Sequence, residues 1–406
     1  MQSSPAAAAL IEAPLGVLAV LLGTLAVLFT LERHPRYGKV FRFVPLIVCA
    51  YFVPTLFSNT GLIPITSPLY GFVREWLLPA SLVLLVLSVD VPAILRLGRN
   101  AVALFLTGTV SIVLGGPLAY LALGWLMPES LGEEAWKGLA ALSGSWIGGG
   151  ANFIAVGSSV GARSETISMM VIADVAVANV WTAFLLYSSG REKAMDARIG
   201  ADRTSIERVQ REVERFQAEV ARPTNLPDLL SICAIAFGVT AVATSASRVL
   251  PPVGTIISGF TWVVVLVTTA ALAMSFTPLR RLEGAGASRV GSVFLYLLIT
   301  TIGAHAEFRR VLDAPALVAV AAFWMVLHAL SILAVRRFLR APIFFAAVGS
   351  QANVGGAASA PIVAAAFHPA LAPVGVLLAI AGYVLGTYGG ILCAALLEWI
   401  HRGVWM

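Results

Sequence analysis

A carboxylate, Asp174, stands in the middle of the apolar stretch VIADVAVANVWTAFLL. The stretch is long enough to lie inside a lipid bilayer, where an ionised side chain is costly and is by default a functional residue. We predict that Asp174 binds a cation or accepts a proton, and we assign Asn179, five residues further on, to the same site. The alternative is a structural carboxylate that caps the end of a broken helix.

Two glycine-rich segments carry the other residues that could bind ions. Residues 144–162 read GSWIGGGANFIAVGSSVGA, and residues 348–361 read VGSQANVGGAASAP. Each glycine costs about 1 kcal/mol in a helix interior, so both segments are predicted to be interrupted helices. An interruption inside a bilayer frees backbone N–H and C=O groups, which are tolerated where they line a cavity or bind an ion. The alternative is close helix packing through small residues.

The two segments offer ligands for both signs of charge. Neutral side-chain oxygens, which hard cations prefer, predict a cation site that also includes Asp174 and Asn179. The residues that supply them are Ser145, Asn152, Ser350, Gln351 and Asn353, and the candidate Na⁺ ligands are Asn152, Asp174, Gln351 and Asn353. Helix N-termini attract anions, so we assign substrate binding to the glycines of the breaks and to two hydroxyls. These residues are Gly149, Gly150, Gly355, Gly356, Ser359 and Thr387.

The composition places these residues in a membrane protein. The 406-residue chain has 27 Lys plus Arg and 21 Asp plus Glu, and it is 59% apolar and 12% charged. Its mean hydropathy is +0.89. Soluble domains are roughly 45–50% apolar and about 25% charged, so soluble enzymes and nucleic-acid-binding proteins are excluded. The sequence contains no nucleotide-binding loop and no HExxH, CxxC or GxSxG motif, and we expect neither an enzyme nor an organic cofactor.

Hydropathy predicts an all-α polytopic fold with about twelve membrane spans. They cover roughly 8–31, 40–57, 70–89, 101–126, 137–160, 166–188, 228–247, 254–275, 290–306, 314–335, 341–366 and 372–399. One strongly polar stretch, 191–222, holds 15 charged residues. We therefore divide the chain into a first membrane repeat (1–188), a polar linker (189–227) and a second membrane repeat (228–406).

The linker is predicted to contain an amphipathic helix over 204–220. Its apolar residues recur at steps of three and four, in the manner of a coiled coil. They are Ile206, Val209, Val213, Phe216 and Val220. Such a helix either lies on the surface of its own protein or joins two copies of the chain, and the sequence leaves both open.

The halves repeat one order of motifs. LSVDVPAILRLGRN precedes GSWIGGGAN in the first half, and TTIGAHAEFRRVLDAP precedes GSQANVGG about 200 residues later. Basic residues mark the loops near 33–42 and 96–99 as cytoplasmic, but twelve straight spans would put the basic loops near 280–289 and 336–340 outside. Either one span is miscounted, or the halves are inserted in opposite orientations. We favour the second, the inverted repeat of secondary transporters.

The motifs LSVDVPAILRLGR, GSWIGGGAN, VIADVAVANVW, TTIGAHAEF and GSQANVGGAASAP resemble the integral-membrane family catalogued as domain of unknown function 819. That family is similar to the bile-acid/sodium symporter and sodium/proton antiporter group. The resemblance implies a panel domain and a core domain in which two discontinuous helices cross, with Na⁺ or H⁺ bound beside the crossover.

The paired breaks and Asp174, together with this resemblance, predict a function. We expect a Na⁺- or H⁺-coupled symporter of a small organic anion that works by alternating access, with a bacterial inner membrane as its location. A cation/proton antiporter is the alternative. The last span has Gly382 and Thr387 where the antiporter pattern has a basic residue, which favours the symporter.

Overall fold

The computed structural model describes residues 9–42, 46–201, 206, 223–253, 259–305, 314–368 and 371–405. Across these residues the regular secondary structure is helical, which confirms the predicted all-α class. The main helices are α1 (Pro14–Arg33), α2 (Leu46–Asn59), α3 (Pro68–Leu87), α4 (Arg99–Leu123), α5 (Glu134–Ser159), α6 (Ser164–Ser189), α7 (Leu226–Ser247), α8 (Gly259–Ser275), α9 (Ala287–His305), α10 (Ala314–Leu339), α11 (Ile343–Val354), α12 (Gly356–Phe367) and α13 (Ala372–Ile400).

Local signals set where several helices begin. Proline stands in the first turn of α1, α3, α7 and α13, a position where its missing N–H is no loss. Asn225 caps α7 by accepting a hydrogen bond from the backbone N–H of Asp228 at 2.9 Å, as polar N-cap residues do. Nine described helices are long and apolar enough to cross a membrane by length and composition.

One of those nine helices, α5, does not cross but folds back on itself. The carboxylate of Glu134 at its start accepts a hydrogen bond from the backbone N–H of Arg163, beyond its end, at 2.9 Å. In a straight helix these residues would be about 43 Å apart. Non-helical backbone at Gly148 and Gly149 makes the turn. We call α5 hairpin 1.

The second glycine-rich segment is also a hairpin. The rings of Phe344, at the start of α11, and Phe367, at the end of α12, lie 5.6 Å apart. A straight helix would separate them by about 35 Å. Gly355 and Gly356 join the two arms, and Gly356 has a φ of +58° that favours glycine. We call residues 343–367 hairpin 2.

Contacts between loops fix the side on which each helix ends. Arg280 Nη1 lies 2.9 Å from Asp90 Oδ1, which puts the loops after α3 and α8 on one side of the membrane. The rings of Tyr70 and His305 contact at 4.9 Å, which puts the start of α3 and the end of α9 on the other side.

The hairpins enter from opposite sides. Helix α4 starts on the side of Asp90 and crosses, hairpin 1 returns to the side where it starts, and α6 crosses back, so α6 ends on the side of Asp90. Asp196, just after α6, accepts a hydrogen bond from the backbone N–H of Ile343 at 2.8 Å. Hairpin 2 therefore starts on the side of Asp90. Hairpin 1 starts on the other side, where Tyr120 at the end of α4 meets His401 at the end of α13. Ten described helices then cross the membrane, namely α1, α2, α3, α4, α6, α7, α8, α9, α10 and α13.

This topology places all the basic loops on one side of the membrane, which a count of twelve straight spans did not. Fifteen of the described Lys and Arg residues lie on the side of Asp90 and five on the other, so the side of Asp90 is cytoplasmic. The count of twelve straight spans was wrong because neither glycine-rich segment crosses. For the same reason, the interrupted segments do not form a pair of crossing discontinuous helices.

The halves start from opposite sides, α1 on the outer side and α7 on the cytoplasmic side. Each half contains five crossing helices and one hairpin, in the same order. This is the order that an inverted repeat requires, and the repeat symmetry itself stays a prediction. Apart from Ile206, the predicted 204–220 helix lies outside the described residues.

The helices form two groups. The core group, α4, α5, α6, α10, α11, α12 and α13, contains both hairpins, and the panel group contains α1, α2, α3, α7, α8 and α9. Helices pack mainly within their own group. Hydroxyl groups make several of the contacts between the groups, including Thr268 with Thr387 at 3.2 Å and Thr269 with Tyr388 at 2.7 Å.

Candidate functional site

The tips of the two hairpins meet. A Cβ placed on Gly356 would lie 3.6 Å from the Cα of Gly149, so the breaks are in contact. The first arms have 14 and 12 residues, or about 20 Å of helix, against a hydrocarbon core of about 30 Å. The junction of the tips therefore lies near the middle of the membrane.

Helix α13 packs against both tips through Gly382. A Cβ on Gly382 would lie 2.6 Å from the carbonyl oxygen of Ile147 in hairpin 1 and 3.6 Å from that of Ala352 in hairpin 2. Only a glycine permits this approach without a shift of the backbone. Gly382 therefore serves the close packing of α13 against the two tips.

Asp174 on α6 lies beside the tip of hairpin 1. One carboxylate oxygen accepts a hydrogen bond from Ser145 Oγ at 2.6 Å, and the other accepts one from Trp146 Nε1 at 2.8 Å. Both donors are neutral, and among the described residues Asp174 forms no ion pair. Asp174 is half-buried within the protein and lies in the middle of a membrane-spanning helix, where a carboxylate without a cationic partner is costly, so the site favours a bound cation or a proton.

Asn152, three residues past the break in hairpin 1, binds α13. Its Nδ2 donates to the carbonyl oxygens of Gly148 at 3.2 Å and Tyr383 at 2.9 Å. Its Oδ1 accepts a hydrogen bond from Thr387 at 2.8 Å. The completely buried Asn152 side chain thereby joins the tip of hairpin 1 to one turn of α13.

Asn353, before the break in hairpin 2, binds α4 in the same way. Its Nδ2 donates to the carbonyl oxygens of Gly349 at 2.9 Å and Phe105 at 3.0 Å. Its Oδ1 accepts a hydrogen bond from Thr109 at 2.8 Å. Asn353 is also completely buried, so each hairpin has one asparagine that holds its tip to a long helix of the core group.

Gln351 links the arms of hairpin 2 to α6. Its Nε2 donates to Ser359 Oγ at 2.6 Å and to Thr182 Oγ1 at 2.9 Å. A Cβ on Gly355 would lie 1.8 Å from Ser359 Oγ, so this arrangement requires glycine at 355. The hydroxyl of Ser359 is therefore part of the turn of hairpin 2.

Ser350 lies in a chain of hydrogen bonds that crosses the core group. Its Oγ accepts from Trp181 Nε1 at 2.8 Å and lies 2.7 Å from His328 Nε2. His328 Nδ1 lies 2.7 Å from Ser111 Oγ. These bonds connect α4, α6, α10 and hairpin 2.

Most of the predicted site residues come together at the two tips. Ser145, Asn152, Ser350, Gln351, Asn353 and Ser359 lie on the hairpins, and Asp174 and Thr387 bind hairpin 1 from α6 and α13. Gly149, Gly355 and Gly356 lie in the turns, and Gly150 begins the second arm of hairpin 1. Asn179 is the exception, because it is exposed on α6.

Four residues that form hydrogen bonds within the site were not predicted from the sequence. Trp146 and Trp181 donate hydrogen bonds within the site, and Thr109 and Thr182 bind the amides of hairpin 2. A signal for the tryptophans was present, since both stand in the middle of a span instead of at its interfacial end. The described part of the chain holds no group of three or more His, Cys, Asp or Glu residues that could bind a metal ion.

Comparison with known proteins agrees with a membrane protein. Over 357 residues the chain is 26% identical to the "Uncharacterized membrane protein YjcL" of Bacillus subtilis (strain 168), and the match covers 82% of this chain and 85% of that protein. Residues 19–400 match the family described as "Protein of unknown function (DUF819)". Because that match extends over nearly the whole polytopic fold, the chain belongs to the DUF819 family of integral membrane proteins.

Proposed function

We propose that the protein is a secondary active transporter, a Na⁺- or H⁺-coupled symporter of a small organic anion in a bacterial inner membrane. The observation that carries the proposal is the meeting of two hairpin tips, which enter from opposite sides, beside Asp174. Hairpin 1 fills the half of the membrane on the outer side of this junction, and hairpin 2 fills the half on the cytoplasmic side. This is the layout that alternating access requires.

The division into two groups supports movement between them. The core group carries both tips and Asp174, and the panel group faces it partly through hydroxyl pairs such as Thr268 with Thr387. Hydrogen bonds between neutral hydroxyl groups can be broken and replaced while one group slides along the other, at a small cost in free energy. We infer that the core group moves against the panel group and carries the junction from one side to the other.

The chemistry of the junction suits one cation and one anion. Asp174 attracts the cation, and the second arm of each hairpin starts at the tip, where helix N-termini favour negative charge. A small anion bound at the glycine turns would lie close to the cation at Asp174, and each charge would lower the cost of burying the other.

A cation/proton antiporter is the second candidate. It needs Asp174 and the moving core group but no organic substrate. The observation that favours it is the carboxylate of Asp174, whose hydrogen-bond donors among the described residues, Ser145 and Trp146, are both neutral. Proton flux into proteoliposomes without any organic substrate would distinguish it from the symporter.

The first test is the melting temperature of purified protein in detergent, with Na⁺ replaced by K⁺ or choline at several pH values. A cation that binds the folded state raises the melting temperature by mass action. We expect a dependence on Na⁺ or on pH that is lost in Asp174→Asn and kept in Glu398→Gln, whose side chain pairs with Arg402 at the outer end of α13.

Two results would refute the proposal. Asp174→Asn with full ion dependence would remove the coupling role of this residue. Currents in planar bilayers that exceed the turnover of a carrier would indicate a channel.

A further inference from the structure

We propose that Asn152 and Asn353 are positioning residues that lock the two hairpin tips, each of them closing the junction toward one side of the membrane only. The inference deepens the proposed function, because the locks regulate access to the same junction. It assigns the two asparagines a role in gating instead of the role of cation ligands.

The hydrogen bonds of the two side chains follow one pattern. Each Nδ2 donates to the carbonyl four residues earlier in its own hairpin, and to a carbonyl of a neighbouring long helix. Each Oδ1 accepts from a threonine one turn further along that helix, Thr387 or Thr109. Only a side chain with two donors and an acceptor on one planar group can make all three bonds.

The pattern leaves little capacity for a cation. Asn152 and Asn353 are both completely buried, and each amide oxygen points at a threonine hydroxyl 2.8 Å away. A Na⁺ at either oxygen would have to share that oxygen with the hydroxyl hydrogen, which carries a partial positive charge. The two bonds of each amide nitrogen to carbonyls also hold its oxygen toward the threonine.

The two locks differ in the side that they face. Hairpin 1 starts and ends on the outer side, so it fills the outer half of the membrane above the junction, and Asn152 ties its tip to α13. Hairpin 2 fills the cytoplasmic half, and Asn353 ties its tip to α4. Release of Asn152 therefore lets hairpin 1 lean away and opens the junction to the outer side, whereas release of Asn353 opens it to the cytoplasm.

Cysteine labelling tests this without a substrate. Ala151 and Ala352 precede the two asparagines and are completely buried, so Ala151→Cys and Ala352→Cys are matched reporters. They are placed in a background in which Cys49, Cys233 and Cys393 are replaced by alanine. A membrane-impermeant maleimide is then added to spheroplasts, to reach the outer side, or to inverted vesicles, to reach the cytoplasmic side.

The locks are released through their threonines. Thr387→Val and Thr109→Val keep the shape of the side chain but remove the donor to Asn152 or Asn353. We expect Thr387→Val to raise the labelling rate of Ala151→Cys from the outer side by about tenfold, the effect of roughly one hydrogen bond. Thr109→Val should raise the labelling rate of Ala352→Cys from the cytoplasmic side by a similar factor. Thr387→Ser and Thr109→Ser restore the hydroxyl and should restore protection.

A control separates a lock from general loosening. Thr107 on α4 donates only to the carbonyl of Ala103 in its own helix, at 2.7 Å, and Thr107→Val should leave both reporters protected. Faster labelling of both reporters, or from both sides, in one lock variant would overturn the inference. Unchanged labelling in both lock variants, with melting temperatures that show folded protein, would also overturn it. Neither result bears on whether Asp174 couples transport to an ion.

Discussion

The guanidinium of Arg336 at the end of α10 lies 2.9 Å from the carboxylate of Asp196, and both side chains are nearly completely buried. The same carboxylate oxygen accepts the backbone N–H of Ile343 at the start of hairpin 2. One ion pair thus holds together the end of α10, the base of hairpin 2 and the segment that follows α6.

Loss of this ion pair should destabilise the protein. Arg336→Gln leaves the charge of Asp196 buried without its partner, which typically costs about 3–5 kcal/mol. Glu133→Gln is the control, because the Glu133 side chain is 56% exposed in its pair with Lys137 and pairs at the surface contribute about 0–1 kcal/mol. Unfolding in detergent measures both. The double variant Asp196→Asn/Arg336→Gln should lose less than the sum of the single variants, and an additive loss would show that the pair does not act as a unit.

The hairpin topology can be checked by the side on which cysteines react. Glu133→Cys and Ala162→Cys flank hairpin 1 and should both react with an impermeant maleimide from the outer side. Arg340→Cys and His368→Cys flank hairpin 2 and should both react from the cytoplasmic side. If the two members of either pair react from opposite sides, the segment between them crosses the membrane and the hairpin is wrong.

The glycine at the tip of hairpin 1 should matter for function as well as for stability. Gly149 has a φ of +72° and Gly61, in the loop between α2 and α3, has a φ of +77°. Alanine at either position is strained by about 1–2 kcal/mol, and neither Cβ would meet another atom within 4 Å. We expect similar falls in melting temperature, with a loss of ion-dependent stabilisation in Gly149→Ala only. Equal ion responses in the two variants would argue against a site at the tip.

The glycines of α13 differ in what surrounds them. A Cβ on Gly382 would lie 2.6 Å from a backbone oxygen, whereas a Cβ on Gly389 would lie 3.1 Å from the end of the Ile147 side chain. Gly382→Ala therefore requires a shift of backbone and should cost about 1–3 kcal/mol. Gly389→Ala should cost less, since the Ile147 side chain can turn away. Thermal unfolding of the two variants, side by side, checks this order.

The location of the breaks was predictable, but their geometry was not. Glycine content and polar neighbours placed interruptions in residues 144–162 and 348–361, and the structure has them at Gly148–Gly149 and Gly355–Gly356. Whether an interrupted helix continues across the membrane or turns back depends on backbone angles at two residues. Hydropathy does not report those angles, and Glu134–Ser159 meets the criteria of a crossing helix.

One sequence signal did point to the hairpins. The basic loops near 280–289 and 336–340 disagreed with a count of straight spans, and removal of one crossing from the first half restores the agreement. The site residues were predictable as a set because amides and hydroxyls are rare in apolar helices. Their partners on α4 and α13 were not, since Thr109 and Thr387 lie 244 and 235 residues from the asparagines that they bind.

The distance along the chain between hairpin 1 and α13 has a consequence for biosynthesis. Asn152 binds a carbonyl 231 residues further on, and a ribosome making roughly 5–20 residues per second needs about 12–46 s to supply it. During that interval the tip of hairpin 1 has Asp174 of α6 as a partner but lacks the bonds of Asn152 to α13. The last crossing helix therefore completes the assembly, and a nascent chain that stops before it should be recognised and degraded by membrane quality control.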